Sequence, residues 1–277
     1  LNRILDSLEF DPWRYVESLQ SPIGAYLKRV VFKQKPEADL IVRLHDEVVT
    51  EQSADGSWNG LFVHTANNLW NLYLLGYDAN DPCVKKGLDW LLSIQKHQYC
   101  GYPGFFLSNS RADAREMRSA MYGEFGPGCS IFYQTTYAVH LFLSFGFGQN
   151  QRVQTTIKSY LQFWRPNWCG AWCTINVLRV LIEHPMSASS EPTEKGVWAL
   201  ARTQTKRGSW KGYPFYHTLH AMSRAEQPLA KKQVKRALQS VVKRQNADGS
   251  WGSKAKELES FLTLDALRNA GHLQDNH

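Results

Sequence analysis

The stretch Arg244-Gln-Asn-Ala-Asp-Gly-Ser-Trp251 decides the fold, because its frame of Gln, three residues, Gly, one residue and Trp returns elsewhere in the chain. Gln245/Gly249/Trp251, Gln204/Gly208/Trp210 and Gln52/Gly56/Trp58 all fit it. Each copy follows a helical pattern that ends in the Gln and precedes a second apolar segment, which puts the motif in the turn of a helical hairpin. Gly suits a turn that needs positive φ. The Trp is expected to fold back over the helix end, and the Gln amide to satisfy carbonyls left open at the helix C-terminus. These residues read as staples of the fold, not as catalytic groups.

Working outward, the same alternation fills the chain. Apolar positions at helical spacing run from Trp13 to Phe32 with a break at Ser21-Pro22, and a helix from Asp39 to Gln52 leads into the first turn. Asp81-Pro82 opens another helix that runs to Gln95, where the turn departs from the frame. A segment at about 98–128 reads as an insertion, and the repeat resumes at Cys129. The turn from Pro166 to Trp172 keeps the Gly170/Trp172 half of the frame, with Pro166 where Gln is expected.

Helices near 62–76, 129–146, 173–184, 215–225 and 257–269 are apolar around most of their surface, whereas those preceding each turn are amphipathic. Alternating buried and amphipathic helices predict two concentric layers: an all-α, α/α toroid of five to six helical hairpins, forming a single domain over 1–277. A two-helix solenoid of the HEAT type has a similar period, but its helices usually keep one solvent-exposed face.

A chain of 277 residues with 43% hydrophobic and 13% aromatic content, including ten Trp, is built to bury a substantial core. The net charge of +7 favours an anionic partner, but Lys and Arg are dispersed and no basic run interleaves with aromatics, so nucleic acid is not expected. A diphosphate or the surface of an acidic membrane suits a diffuse positive field. No apolar run approaches a membrane span and no signal-peptide pattern opens the sequence, so a cytoplasmic protein with room for peripheral membrane contact is expected. The oligomeric state stays open. Five Cys in a chain of this length do not suggest a disulfide framework.

The repeated Gln-x3-Gly-x-Trp turns resemble the signature of the terpenoid cyclase and protein prenyltransferase superfamily, whose members are α/α toroids. Gly128-Cys-Ser-Ile-Phe-Tyr-Gln134 resembles the prenyltransferase segment Asp-Gly-Cys-Tyr-Ser-Phe-Trp-Gln, in which Asp and Cys bind zinc. Phe215-Tyr-His-Thr218 resembles the segment that carries the third zinc ligand. The resemblance implies ligand and catalytic roles for Cys129 and His217, while the Asp of the pattern falls on Pro127. Cys169 and Cys173 lie near the start of an inner helix and complete a four-ligand zinc set with Cys129 and His217. The alternative is that all four are core residues.

The cyclases of this superfamily carry an Asp-x-Asp-Asp-Thr box, and its best alignment here is Ile131-Phe-Tyr-Gln-Thr135. Tyr133 and Gln134 stand at acid positions and cannot protonate an alkene, which leaves Glu124 or Asp113 as the acid of an unusual cyclase. Arg111, Arg115 and Arg118 project from one helical face and suit a diphosphate, or are a solvated charged face. Trp70, Tyr133, Tyr137, Trp172 and Tyr216 offer ring faces to a carbocation. His64, His140 and His220 read as satisfied core histidines. The function implied first is conversion of a prenyl diphosphate or polyprenyl chain in the central cavity by zinc-assisted prenyl transfer; the alternatives are a cyclase-like isomerase or lyase without the usual acid box, and a non-catalytic binding or scaffold toroid.

Overall fold

The computed structural model describes residues 7–96, 98–99, 102–106, 130–165 and 168–273. The helices are α1 Pro12–Glu17, α2 Pro22–Tyr26, α3 Ala38–Thr50, α4 Phe62–Leu75, α5 Pro82–Ser93, α6 Ser130–Ser144, α7 Gln151–Gln162, α8 Ala171–Glu183, α9 Glu191–Thr203, α10 Phe215–Ser223, α11 Pro228–Lys243 and α12 Lys256–Asn269. A π-helical turn, Leu27–Val31, prolongs α2. The only strands among the described residues are a short antiparallel pair, β1 Gln98–Tyr99 with β2 Tyr102–Pro103.

The starts of these helices follow from the sequence. Asp81 accepts from the backbone N–H groups of Cys83 and Val84 ahead of Pro82, and Asn150 accepts from that of Arg152. Two compact units result, Leu1–Val42 with Glu194–His277, and Arg43–Thr193. In the second unit α4 packs on α6 and α6 on α8. In the first, α10 packs on α12, and α12 on α2 with its π-helical turn. Apart from α2 these are the helices expected to be internal, and α4, α8 and α10 are buried on nearly every side.

The turns work differently from the expectation in one respect. In two copies the indole caps the preceding helix, Trp58 Nε1 donating to Val48 O at 2.8 Å and Trp251 Nε1 to Val241 O at 2.9 Å, whereas Trp210 Nε1 donates to Gln233 Oε1 of α11 at 2.9 Å. The Gln amide instead bridges outward. Gln52 Nε2 donates to Gly56 O and Cys83 O, and Gln204 Nε2 to Gly208 O and Gln233 O. Each Gln thus ties its own turn to the following amphipathic helix. In the last copy Gln245 Nε2 donates to Phe10 O at 2.7 Å, so the segment just before α1 stands where a following helix would stand.

A hydroxyl on the inner helix completes the turn. Thr65 Oγ1 accepts from Trp58 N and Ser260 Oγ from Trp251 N. Thr174 Oγ1 accepts from Trp168 N at 3.1 Å, and Trp168 is buried while Trp172 is only half-buried. The stapling residue of that repeat is therefore Trp168. Gly170 has φ of 166°, extended backbone, and is not the left-handed glycine of the frame.

The segment read as an insertion is likewise part frame. Gln95 bridges to Phe106 as Gln204 does to Trp210, and Gln95 Nε2 donates to Gly104 O at 2.7 Å and Arg152 O at 3.0 Å. Gly104 has positive φ, and Phe106 is fully buried in the place of the Trp. Gln95→Leu is expected to strand these buried carbonyls and cost about 1–3 kcal/mol, read as a lower urea midpoint at constant m-value. A change within about 0.5 kcal/mol, as at an ordinary surface site, would show that 95–106 is not a repeat turn.

Candidate active site on the inner helices

In the unit Arg43–Thr193, Tyr133, Tyr137 and His140 are buried and spaced along α6 so that they share a face. The Tyr133 and Tyr137 rings are 5.9 Å apart, and Tyr137 donates from its hydroxyl to Asn67 Oδ1 of α4 at 3.0 Å. Trp70 of α4 lies with its ring centroid 5.2 Å from that of His140 and 5.1 Å from that of Tyr73. Phe62 meets Tyr137 edge-on. Helical spacing thus gathers the aromatic residues of α4 and α6 into one wall.

Polar groups interrupt this wall. His140 Nδ1 lies 2.6 Å from Glu183 Oε2 of α8, with the His140 side chain 3% and the Glu183 side chain 9% exposed. Asn176, Arg179 and Glu183 recur along one face of α8, and Asn176 and Arg179 are only 2% and 1% exposed. Burying an amide, a guanidinium and a carboxylate in an apolar helix costs free energy unless each finds a partner. A carboxylate that accepts Nδ1–H fixes the imidazole tautomer and leaves the second ring nitrogen as the proton-accepting one. Such a pair can take a proton from a substrate held against Trp70.

The unit Leu1–Val42 with Glu194–His277 has its own buried charge. Asp265 on α12 is fully buried and accepts from Tyr26 Oη, His220 Nε2, Arg224 Nη2, Arg268 Nη2 and Asn269 Nδ2, at 2.8–3.1 Å. Burial alone pushes its carboxyl up; the His220 hydrogen bond and the charges of Arg224, His220 and Arg268 outweigh this and hold it well below the ordinary range. Asp265 is therefore a fixed anion that ties α2, α10 and α12 together, and cannot serve as a proton donor near neutral pH. Glu259, at the start of α12, is pushed up by burial. Tyr216 is raised by burial and then by Glu259, with Arg244 opposing.

The residues singled out in the sequence are thus distributed unevenly. Trp70, Tyr133 and Tyr137 come together in one unit. Tyr216 and His217 are buried in the first turn of α10 in the other unit. Cys173 is buried in α8 beside the buried phenol of Tyr160, and Cys169 is exposed. Cys129, Arg111, Asp113, Arg115, Arg118 and Glu124 lie outside the described residues. No group of three His, Cys, Asp or Glu side chains that could hold a metal ion occurs among the described residues, which do not include Cys129. His64 contacts Asn59 at the α4 entrance, and His140 and His220 are both paired with carboxylates.

Sequence reading passed over Asn67, Asn176, Arg179, Glu183 and Asp265. A signal was present in Val177-Leu-Arg-Val-Leu-Ile-Glu183, where two charges spaced i, i+4 break an apolar run.

Repeated helical hairpins with aromatic and polar side chains on their buried helices define the class of protein. Residues 167–268 match the squalene-hopene cyclase C-terminal domain. No curated protein sequence matches the chain. Among solved structures, the chain is similar to the type II terpene cyclase MstE from Scytonema in complex with merosterolic acid A (product), at 13% identity and a TM-score of 0.62, covering 98% of this chain and 94% of that one. It is similar to the Candida albicans protein geranylgeranyltransferase-I complexed with GGPP, at 11% identity and a TM-score of 0.61, covering 94% and 84%. A protein from Actinoplanes matches at 17% identity and a TM-score of 0.58, covering 90% and 89%. The resemblance to the terpenoid cyclase and protein prenyltransferase superfamily, and with it the α/α toroid fold class, is borne out by these matches. No helix among the described residues is long and apolar enough to cross a membrane.

Proposed function

We propose that the protein binds an isoprenoid against the aromatic wall of α4 and α6 and converts it through a carbocation that ends in loss of a proton to His140. The observation that carries this reading is the buried His140–Glu183 pair with the Trp70 ring beside it. Ring faces stabilise positive charge by about 0.5–2 kcal/mol each, which suits Trp70, Tyr133 and Tyr137 to a cationic intermediate. His140 takes the proton next to the cationic carbon, and the C–H electrons become the new double bond. Similarity of fold to a cyclase solved with geranylgeranyl dihydroxybenzoate (substrate) supports an isoprenoid ligand. Glu124 as proton donor, and Arg111, Arg115 and Arg118 as holders of a diphosphate, belong to this proposal for the first step.

The expected result of incubation with geranyl, farnesyl and geranylgeranyl diphosphates, geranylgeraniol and squalene is a cyclised or isomerised product from at least one. His140→Ala is expected to lower turnover by about 10²-fold or more without a matching loss of binding. If every substrate is returned unchanged, or His140→Ala turns over normally, this reading fails.

Prenyl transfer is the second reading, favoured by His217 standing buried in the first turn of α10 within the Phe215-Tyr-His-Thr218 segment. Zinc held by Cys129, Cys169, Cys173 and His217, or three of them, belongs to it as a proposal, and no step here runs through a metal. Product that forms with an acceptor thiol only when zinc is supplied would replace the first reading by the second.

A further inference from the structure

Asn176 is the unexplained group of this inner face. It is 2% exposed, in the middle of α8, and neither its Oδ1 nor its Nδ2 has a hydrogen-bond partner among the described residues. A buried amide left without partners destabilises the fold, and a leucine of similar size would avoid that cost. Asn176 lies one turn before the buried Arg179 and two turns before Glu183 on the same helical face, so an unmet donor and an unmet acceptor stand on the face of α8 through which Glu183 meets His140 of α6.

We infer that Asn176 is a specificity residue that recognises a hydroxyl group on the isoprenoid, so that the substrate class is an oxygenated chain and not a plain hydrocarbon. A hydroxyl both donates and accepts, and therefore answers both free atoms of the amide. A site built to hydrogen-bond a hydroxyl also rejects the analogue that lacks it, because the buried amide is then left unmet. The inference rests on the isoprenoid reading and narrows it.

Two measurements on the full chain separate the possibilities. The first compares the affinity of geranylgeraniol with that of the matching hydrocarbon in which hydrogen replaces the hydroxyl, for the wild type and for Asn176→Leu. The wild type is expected to favour the alcohol by about tenfold, and Asn176→Leu to lose that preference while still binding the hydrocarbon. The second is thermal stability without ligand, where Asn176→Leu is expected to melt higher than the wild type, since it removes an unmet polar group. A lower melting temperature would make Asn176 a structural residue and overturn the inference. Equal binding of the two probes by the wild type would do the same, with the isoprenoid reading left standing. If neither probe binds, the isoprenoid reading itself fails and carries the inference with it.

Discussion

Asp265→Ala is expected to destabilise the protein by about 3–5 kcal/mol, because it removes a buried anion with which Arg224, Arg268 and His220 are all paired. The hydrogen bonds from Tyr26 and Asn269 to this carboxylate go in the same step. The cost reflects broken partnership: a well-packed apolar replacement of the whole network would be far less harmful than removal of its centre. Chemical denaturation of the variant against wild type checks this, and a loss below about 1 kcal/mol would show that the network is a surface-like ion cluster.

The same group sets a pH dependence. Its folded pKa is depressed, so the stability it contributes is fully present above the unfolded aspartate value of about 3.9 and is lost as pH falls toward the lower folded value. Wild-type urea midpoints are expected to drop progressively below pH about 4. Asp265→Asn, which cannot ionise, should be less stable at neutral pH and show less of that acid drop.

Gly208→Ala is the second large effect. Gly208 has φ of +91°, and an added Cβ would stand 2.3 Å from the carbonyl oxygen of Arg236 on α11. The left-handed backbone alone costs roughly 1–2 kcal/mol for a residue with a Cβ. The clash is with helix backbone that the Gln204 amide also ties to this turn, through Gln233 O, so no flexible side chain can yield. A total of about 3 kcal/mol or more is expected, since displacement of packed structure adds its own 1–3 kcal/mol. Gly212→Ala is the control: its φ is +82° with nothing within 4 Å of an added Cβ, so it bears only the conformational cost. Equal losses in the two variants would mean that close approach to α11 is not why glycine stands in the turn.

The helices were legible because each property that defines them is local. Buried inner helices were read at 62–76, 173–184 and 215–225 from apolar residues around the whole helix, and they occur at Phe62–Leu75, Ala171–Glu183 and Phe215–Ser223. Asp81-Pro82 and Asn150 mark helix starts through bonds to their own neighbours. The three intact copies of the turn were legible for the same reason, since Gly56, Gly208 and Gly249 all need positive φ.

What escaped depends on residues far apart in the chain. Gln52 could not announce that its amide would reach Cys83, nor Gln245 that it would reach Phe10, because a donor names no acceptor until helices pack. Phe106 replaces a Trp eleven positions after its Gln, a spacing no repeat frame anticipates; only the bridge to Gln95 reveals it. Trp168 and Trp172 both suit the staple by type, and the hydroxyl of Thr174 chooses the first.

The candidate site divides along the same line. Residue type alone nominated Trp70, Tyr133 and Tyr137, because aromatic side chains on buried helices need no partner to be noticed. His140 was legible as a residue on an inner helix, but its chemistry lies in Glu183, 43 residues later, and in the Trp70 ring. Local periodicity and turn chemistry determine which helices form and which faces they bury. Which buried polar groups meet is decided only when α4, α6 and α8 pack side by side, because a hydrogen bond of under 3 Å depends on tertiary position that no sequence spacing encodes.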